Sequence, residues 1–225
     1  FKQPEENVIS LADKIKNLPN IENVEFNYKA NAFVEPNDQY YDNQWALNNT
    51  GQAVSYNGSY VGTPGSDIDA ERAWEISTGS SDVIIAILDT GIDLDHPDLQ
   101  SGLVGGYDFV SNDSNANDGN MHGTACASIA AGRTNNSIGV SGICWDCSLM
   151  PVKVLGDGGS GDYDDIINGV VWASDNGAQV ISMSLGGGGY VGSFNNAINY
   201  AHNNGTIVIS ASGNDNGSIS YPAAF

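Results

Sequence analysis

In Asp82-Val-Ile-Ile-Ala-Ile-Leu-Asp89, six consecutive apolar residues lead directly to a carboxylate. A continuous apolar run of this length predicts a strand that is buried on both faces, as strands are in a parallel sheet. An unpaired charge at the end of a buried strand is costly, so Asp89 is expected to have a polar partner. The run therefore predicts a fold class and also marks the first candidate residue of a functional site.

Strand and helix patterns alternate along the chain after this run. Further strands are predicted at 149–155, 179–183 and 206–211, and helices at 126–131, 163–176 and 194–203. Alternation with short connections predicts a doubly wound, mostly parallel α/β sheet with helices on both faces. Ligands of such sheets bind beyond the carboxyl ends of the strands. Asp89, Ser184 and Asn214 all follow predicted strands at that edge.

The second informative stretch is His122-Gly-Thr-Ala-Cys-Ala-Ser-Ile-Ala-Ala-Gly132, in which a histidine precedes small residues that suit a helix. A helix here places His122 at its N-terminal end, facing the sheet edge where Asp89 lies. A carboxylate that holds a histidine is the orienting half of a nucleophilic triad. The two stretches together predict a hydrolase.

The composition is strongly acidic, with 7 Lys+Arg against 27 Asp+Glu and a net charge of −20. Nucleic acid is a poor partner for such a surface, because phosphate binding requires lysine and arginine. The acidity indicates a well-solvated surface, which is compatible with calcium binding and with attraction to basic substrates. The sequence contains no run of 18 apolar residues, so no membrane span is predicted.

Four motifs in order resemble those of the subtilisin-like serine proteases. They are Asp89-Thr-Gly-Ile-Asp93 followed by His96-Pro-Asp-Leu99, then His122-Gly-Thr124, then Val180-Ile-Ser-Met-Ser-Leu-Gly-Gly187, then Ser210-Ala-Ser-Gly-Asn-Asp215. The resemblance covers about residues 37–225, and a weaker one covers the residues before them. It implies a subtilisin-like fold and a secreted, extracellular serine endopeptidase.

The resemblance also implies a role for each motif. Asp89 is the triad acid that orients His122, His122 is the general base, and Asn214 donates its amide to the oxyanion. An extended peptide or protein substrate would pair as a strand between two backbone edges of the cleft. These edges are formed by Gly159, Ser160, Gly161, Ser184, Leu185 and Gly186. The expected partners are such substrates and the protein's own propeptide, and the expected state is a monomer.

The segment Thr134-Asn-Asn-Ser-Ile-Gly-Val140 resembles the calcium loop of the same family. The resemblance implies Ca²⁺ as the cofactor, since calcium takes six to eight oxygen ligands, many of them carbonyls. The implied ligands are the side chains of Asp38, Asp98 and Asn136 and the carbonyls of Thr134, Ile138 and Val140. A polar, asparagine-rich turn without an ion is the alternative.

The nucleophile motif of the family, Gly-Thr-Ser-Met-Ala, occurs nowhere in the 225 residues. We therefore expect a C-terminally truncated protease that is inactive as this chain alone. One alternative is a pseudoprotease that binds peptides, which a Gly-Thr-Ser encoded downstream would exclude. Another alternative treats Asp89-Thr-Gly91 as an aspartic protease motif. That mechanism requires two carboxylates that share a proton, and it leaves His122 and Asn214 unexplained.

The first 36 residues differ in pattern from the remainder. Apolar residues with helical spacing occupy 5–18 and end at Pro19. Val24, Phe26 and Tyr28 then alternate with polar residues, as in a half-buried strand. This order resembles the C-terminal half of an inhibitory propeptide at 1–36, followed by a catalytic domain at 37–225. An ordinary N-terminal extension is the alternative.

Three cysteines are present. Cys144 and Cys147 form a single CxxC pair, which cannot close a four-ligand zinc site alone. A local disulfide, two free thiols, and a metal or redox role all remain open from the sequence. Cys126 lies on the predicted helix after His122 and is expected to be a small buried apolar residue.

Overall fold

The structure, a computed structural model, describes residues 8–25, 35–54 and 58–225. It divides into two compact units, Phe1–Ala32 and Phe33–Phe225. The first unit contains helix α1 (Val8–Lys16), whose last turn carries Lys14 and Lys16, where cations complement the helix dipole. Phe26 and Tyr28 of the predicted strand lie outside the described residues. The propeptide assignment of 1–36 stays a prediction.

The second unit contains the sheet. Its helices and strands are, in chain order, α2 (Ala70–Trp74), β1 (Ile84–Asp89), β2 (Tyr107–Asp108), α3 (His122–Ala131), β3 (Ser148–Lys153), α4 (Tyr163–Asp175), β4 (Val180–Met183), α5 (Gly192–Asn203) and β5 (Ile207–Ser210). The strand order is β2-β3-β1-β4-β5, and every neighbouring pair is parallel. The predicted doubly wound α/β fold is confirmed. Strand β2 was not predicted, because two residues are too few to show a periodicity.

Helices cover both faces of the sheet at its central strand, β1. Ala86 and Leu88 belong to a core cluster that also contains buried residues of α4 and α5. Ile87 points to the opposite face and belongs to a second cluster with Ala127 and Ala131 of α3. Alternate residues of one strand thus enter two different cores, and this is the reason that the run from Val83 to Leu88 is continuously apolar.

The chain reverses its direction of winding at β1. It passes from β1 to β3 on one side and then crosses to β4 on the other side. A crevice forms at such a switch point, beyond the carboxyl ends of the strands that flank it. Asp89 is the last residue of β1 and therefore lies at this crevice.

Cys144 and Cys147 form a disulfide with their Cα atoms 5.5 Å apart, which selects one of the three possibilities that the sequence left open. Arg133 fixes the loop between them, donating hydrogen bonds to the carbonyls of Trp145 and Cys147, both at 2.9 Å. Trp145 also packs on Trp74 of α2, with ring centroids 4.9 Å apart. The loop thus holds α2 in place within the second unit.

Among the helices that the structure describes, none is both long and apolar enough to cross a membrane.

Candidate active site

The centre of the site is a contact between Asp89 and His122. Asp89 is fully buried, whereas the His122 side chain is half exposed. Nδ1 of His122 lies 2.7 Å from Oδ1 of Asp89, and the same oxygen accepts a hydrogen bond from the backbone N–H of Thr90 at 2.7 Å. With Nδ1 held by a carboxylate, the neutral ring can accept a proton only at Nε2. The pair is therefore arranged as an oriented general base.

The start of α3 is hydrogen-bonded to the loop that follows β1. The backbone N–H of Gly123 donates to Oγ1 of Thr90 at 3.0 Å. A Cβ atom at position 123 would clash with the carbonyl oxygen of Gly91, so only glycine permits this close approach. The Gly after His122 in the motif thus has a packing function, which is to bring the histidine against the strand that carries Asp89.

Asp118 supports the same arrangement from the loop before α3. Its Oδ1 accepts hydrogen bonds from the Thr90 hydroxyl (2.9 Å) and from the backbone N–H groups of Asn120 (2.8 Å) and Met121 (3.1 Å). Its Oδ2 accepts from the backbone N–H and the hydroxyl of Thr124, at 3.0 and 2.6 Å. One carboxylate thus joins both segments that carry the Asp–His pair. Sequence reasoning missed it, although Asp-Gly four residues before the histidine is a turn signal.

These hydrogen bonds determine how Asp118 titrates. Burial alone would raise the pKa of Asp118, but the hydrogen bonds from Thr124, Asn120 and Thr90 outweigh burial and lower the pKa below its ordinary value of 3.8. A lowered pKa in the folded protein means that the ionised group contributes stability. That contribution is complete above the unfolded-state pKa and is lost as the pH falls through the lower folded-state pKa.

We therefore expect Asp118→Asn to lower the melting temperature at neutral pH, by an amount that shrinks once the pH falls below about 4. The measurement is thermal unfolding of the full-length gene product from about pH 7 to about pH 3. Asp95→Asn, which removes one exposed carboxylate nearby, is the control and should change little. A deficit that stays constant over the whole pH range would contradict the role assigned to Asp118.

A cleft of about 600 Å³ opens beside His122. All six predicted substrate-binding residues line it, namely Gly159, Ser160, Gly161, Ser184, Leu185 and Gly186. The cleft also has an apolar wall of Leu155, Tyr163 and Ile166, which sequence reasoning did not include. Tyr163 and Ile166 are three residues apart at the start of α4, a spacing that places both on one helix face.

Asn214 is placed differently from the other predicted residues. It lies in the exposed segment that follows β5, at the carboxyl edge of the sheet. The residues that line the cleft do not include Asn214. Its role as an oxyanion donor therefore stays a prediction.

Cys126 lies one helical turn after His122, with Sγ 4.0 Å from Nδ1 of the histidine. The thiol is free and half-buried, rather than fully buried as the sequence suggested. Burial raises the pKa of the Cys126 thiol, a hydrogen bond from Ser184 opposes this rise, and the negative charge of Asp89 adds to it. The thiol is therefore protonated at neutral pH, which disfavours Cys126 as an attacking thiolate.

The predicted calcium ligands converge on one loop. Asp38 and Asp98 are 60 residues apart in the sequence. Both side chains are buried, at 5% and 1% exposed. Asp98 accepts hydrogen bonds from the side-chain amide of Asn136 (2.7 Å) and the backbone N–H of Val140 (3.3 Å). Asp38 accepts from the backbone N–H of Asn135 at 2.9 Å.

Two observations test whether this loop suits a cation. Oδ1 of Asp38 is buried and has no hydrogen-bond partner. Among the residues that the structure describes, neither Asp38 nor Asp98 forms an ion pair with lysine, arginine or histidine. Two buried carboxylates without a cation are unfavourable, and oxygen donors of this kind suit calcium. The donor set therefore fits the predicted ion.

Comparison with known proteins identifies a matching family and similar proteins. Residues 80–225 match the model of the Subtilase family. Thermitase of Thermoactinomyces vulgaris is 48% identical over 159 residues, which are 70% of this chain and 57% of thermitase. The halolysin-like extracellular serine protease Nep of Natrialba magadii is 48% identical over 167 residues, which are 70% of this chain and 31% of Nep.

The fold has a counterpart among solved structures. A protease from Pseudoalteromonas arctica matches with a TM-score of 0.69 at 35% sequence identity, over 80% of this chain and 60% of that chain. The present chain thus spans between about a third and three fifths of the length of these proteins.

Proposed function

The chain belongs to the subtilase family and is related to serine peptidases, and from this premise we propose that it carries the acid, the base and the substrate cleft of a secreted serine endopeptidase. The observation that supports the proposal most directly is the 2.7 Å contact between buried Asp89 and half-exposed His122 at the mouth of the cleft. Secretion is proposed because one of the relatives is named an extracellular protease.

In the proposed reaction His122 removes the proton from a serine hydroxyl as that oxygen attacks the peptide carbonyl. Asp89 holds the ring in the tautomer that leaves Nε2 unprotonated, and its buried charge stabilises the imidazolium that forms. His122 then returns the proton to the leaving amine. Asn214 is proposed to donate its side-chain amide to the oxyanion of the tetrahedral intermediate.

The attacking serine is proposed to lie in sequence that follows Phe225. No Gly-Thr-Ser-Met-Ala segment occurs among the 225 residues, and the chain spans 57% of thermitase. Cys126, whose Sγ lies 4.0 Å from Nδ1 of His122, has a raised pKa and is a poor substitute. On this proposal, residues 1–225 alone hydrolyse no peptide.

The cleft suggests how the substrate is bound. An extended peptide would pair with backbone on both sides, at Gly159–Gly161 and at Ser184–Gly186. Backbone pairing recognises the extended shape of the chain and not a particular side chain. The wall of Leu155, Tyr163 and Ile166 would favour an apolar side chain at the position that faces it. We propose extended peptides and proteins as substrates.

Calcium is proposed as a structural cofactor held by the side chains of Asp38, Asp98 and Asn136, with the carbonyls of Thr134, Ile138 and Val140. The ion would supply the positive charge that the two buried carboxylates lack. It would take no part in the bond-breaking steps. Residues 1–36 are proposed as part of an inhibitory propeptide.

The decisive experiment compares the full-length gene product with residues 1–225. We expect the full-length product to hydrolyse extended peptides and to react covalently with a serine-directed fluorophosphonate, and the shorter chain to do neither. Fluorophosphonate labelling of residues 1–225 would contradict the proposed place of the serine. A full-length product that binds peptides without cleaving them or reacting with the probe would support the pseudoprotease alternative.

A further inference from the structure

A buried lysine lies at the end of β3, beside the catalytic strand. Lys153 is 5% exposed and is paired in register with Asp89 of β1 on one side and with Asp108 of β2 on the other. Lysine is rarely buried to this extent, because removing an ammonium group from water is costly unless it is paired. The partners of Lys153 should therefore show why a cation is retained there.

The Lys153 ammonium group has two described partners. It donates to the backbone carbonyl of Thr90 at 2.5 Å and to Oδ1 of Asp157 at 2.8 Å. Thr90 directly follows Asp89, so the first hydrogen bond holds the end of the catalytic strand. Asp157 lies in the turn that leads to the cleft, so the second hydrogen bond holds this turn in place. Lys153 thus connects the end of β1 with the turn that carries Asp157.

The turn that carries Asp157 is tight and delivers the substrate-binding segment. The backbone N–H of Gly156 donates to the carbonyl of Ser160 at 2.9 Å, and that of Gly159 donates to the carbonyl of Gly156 at 2.8 Å. A displacement of Asp157 would therefore move Ser160 and its neighbours together. These residues form one edge of the cleft.

Asp157 also contacts the loop that precedes His122. Its carbonyl accepts a hydrogen bond from the side-chain amide of Asn120 at 2.8 Å, and its carboxyl group packs directly against the backbone of Gly119. Asn120 lines the cleft together with His122. One residue thus connects the substrate-binding turn, the catalytic strand through Lys153, and the histidine loop.

We propose that Lys153 and Asp157 form a clasp that positions the substrate-binding segment Gly159–Gly161 against the Asp89–His122 pair. The inference rests on the proposed endopeptidase function and extends it to two positioning residues outside the reacting groups. Asp157 is 68% exposed, so the charge attraction is screened and is modest as a source of stability. The Lys153–Asp157 pair acts by positioning Gly159–Gly161, because substrate groups must be held close to the catalytic pair for reaction.

The test uses the full-length gene product with two substrates. One is an extended peptide that can pair with Gly159–Gly161, and the other is a single-residue ester that cannot. Asp157→Asn retains the carbonyl that Asn120 binds but removes the charge. We expect this substitution to raise KM for the peptide about five- to tenfold, with a much smaller change in kcat and in both constants for the ester.

Variants of the lysine complete the test. Lys153→Met should raise KM for the peptide at least as much as Asp157→Asn, because it also removes the hydrogen bond to the Thr90 carbonyl. Lys153→Arg should keep most of the peptide affinity because it keeps the cation. The double variant Lys153→Met with Asp157→Asn should be no worse than Lys153→Met alone, since the lysine substitution already removes the contact with Asp157. Asp69→Asn breaks the exposed Arg72–Asp69 pair, which is also 2.8 Å long, and serves as the matched control with no expected effect.

The outcomes separate the clasp from the proposed function. Peptide and ester rates that fall equally, together with a lower melting temperature, would show only a structural role and would overturn the clasp. If the protein hydrolyses neither substrate, the proposed function fails. The clasp is then decided by the Kd of a fluorescent extended peptide. That Kd should rise about five- to tenfold in Asp157→Asn, and an unchanged Kd would overturn the clasp.

Discussion

Replacement of His122 by alanine in the full-length gene product is expected to lower kcat for peptide hydrolysis by about 10⁴- to 10⁶-fold, while KM changes little. This is the magnitude generally found when one member of a serine protease triad is removed, because the members act as a unit. In this molecule His122 is the proposed base, and its Nδ1 lies 2.7 Å from Oδ1 of the buried Asp89. Without the ring, the hydroxyl has no proton acceptor, whereas Asp89 still accepts the hydrogen bond from the backbone N–H of Thr90.

The measurement is steady-state hydrolysis of an extended peptide by the parent protein and the variant. His202→Ala is the matched control, because His202 lies exposed in the last turn of α5. That substitution should leave kcat and KM within about twofold of the parent values. An unchanged melting temperature of His122→Ala would show that the loss is chemical. Full activity in His122→Ala would remove this residue as the base.

Calcium is expected to raise the melting temperature of the same protein by about 5–10 °C, and equal magnesium by much less. An ion that binds the folded protein alone stabilises it by mass action, by about 2.7 kcal/mol when its concentration is 100 times Kd. Asp38 and Asp98 are brought together only by folding, so the unfolded chain offers no equivalent site. Magnesium prefers a smaller octahedral shell and releases its water reluctantly.

Thermal unfolding in calcium, in magnesium and in chelator measures this effect. Asp98→Ala should abolish most of the difference between calcium and magnesium, and the gentler Asp98→Asn serves if the alanine variant does not fold. Asp95→Asn removes a charge three residues away that is exposed, and it should retain the full calcium response. Equal stabilisation by both ions, or an unchanged response in the Asp98 variants, would place the ion elsewhere.

The resemblance to subtilisin-like proteases indicated six candidate substrate-binding residues without giving their arrangement. Ser184–Gly186 and Gly159–Gly161 are separate segments in the sequence, and the structure places both along one cleft beside His122. Their proximity depends on β3 and β4 pairing with opposite sides of β1. A linear pattern does not contain strand order, because periodicity is local whereas pairing joins distant segments.

What the sequence alone determined is the alternation of strands and helices, the two buried faces of β1, and the identity of the Asp–His pair, since apolar periodicity and short motifs are local properties of the chain. Only the tertiary structure shows that Asp118 and Lys153 both hydrogen-bond to Thr90, which directly follows Asp89. Both are charged side chains, and no local pattern distinguishes a surface charge from a buried one. Their hydrogen-bond partners are Thr90, Thr124, Asp157 and backbone groups, several of which come from other strands and loops. The physical reason is that a charge becomes structural only where folding removes water and supplies partners, and folding draws many of those partners from distant parts of the sequence.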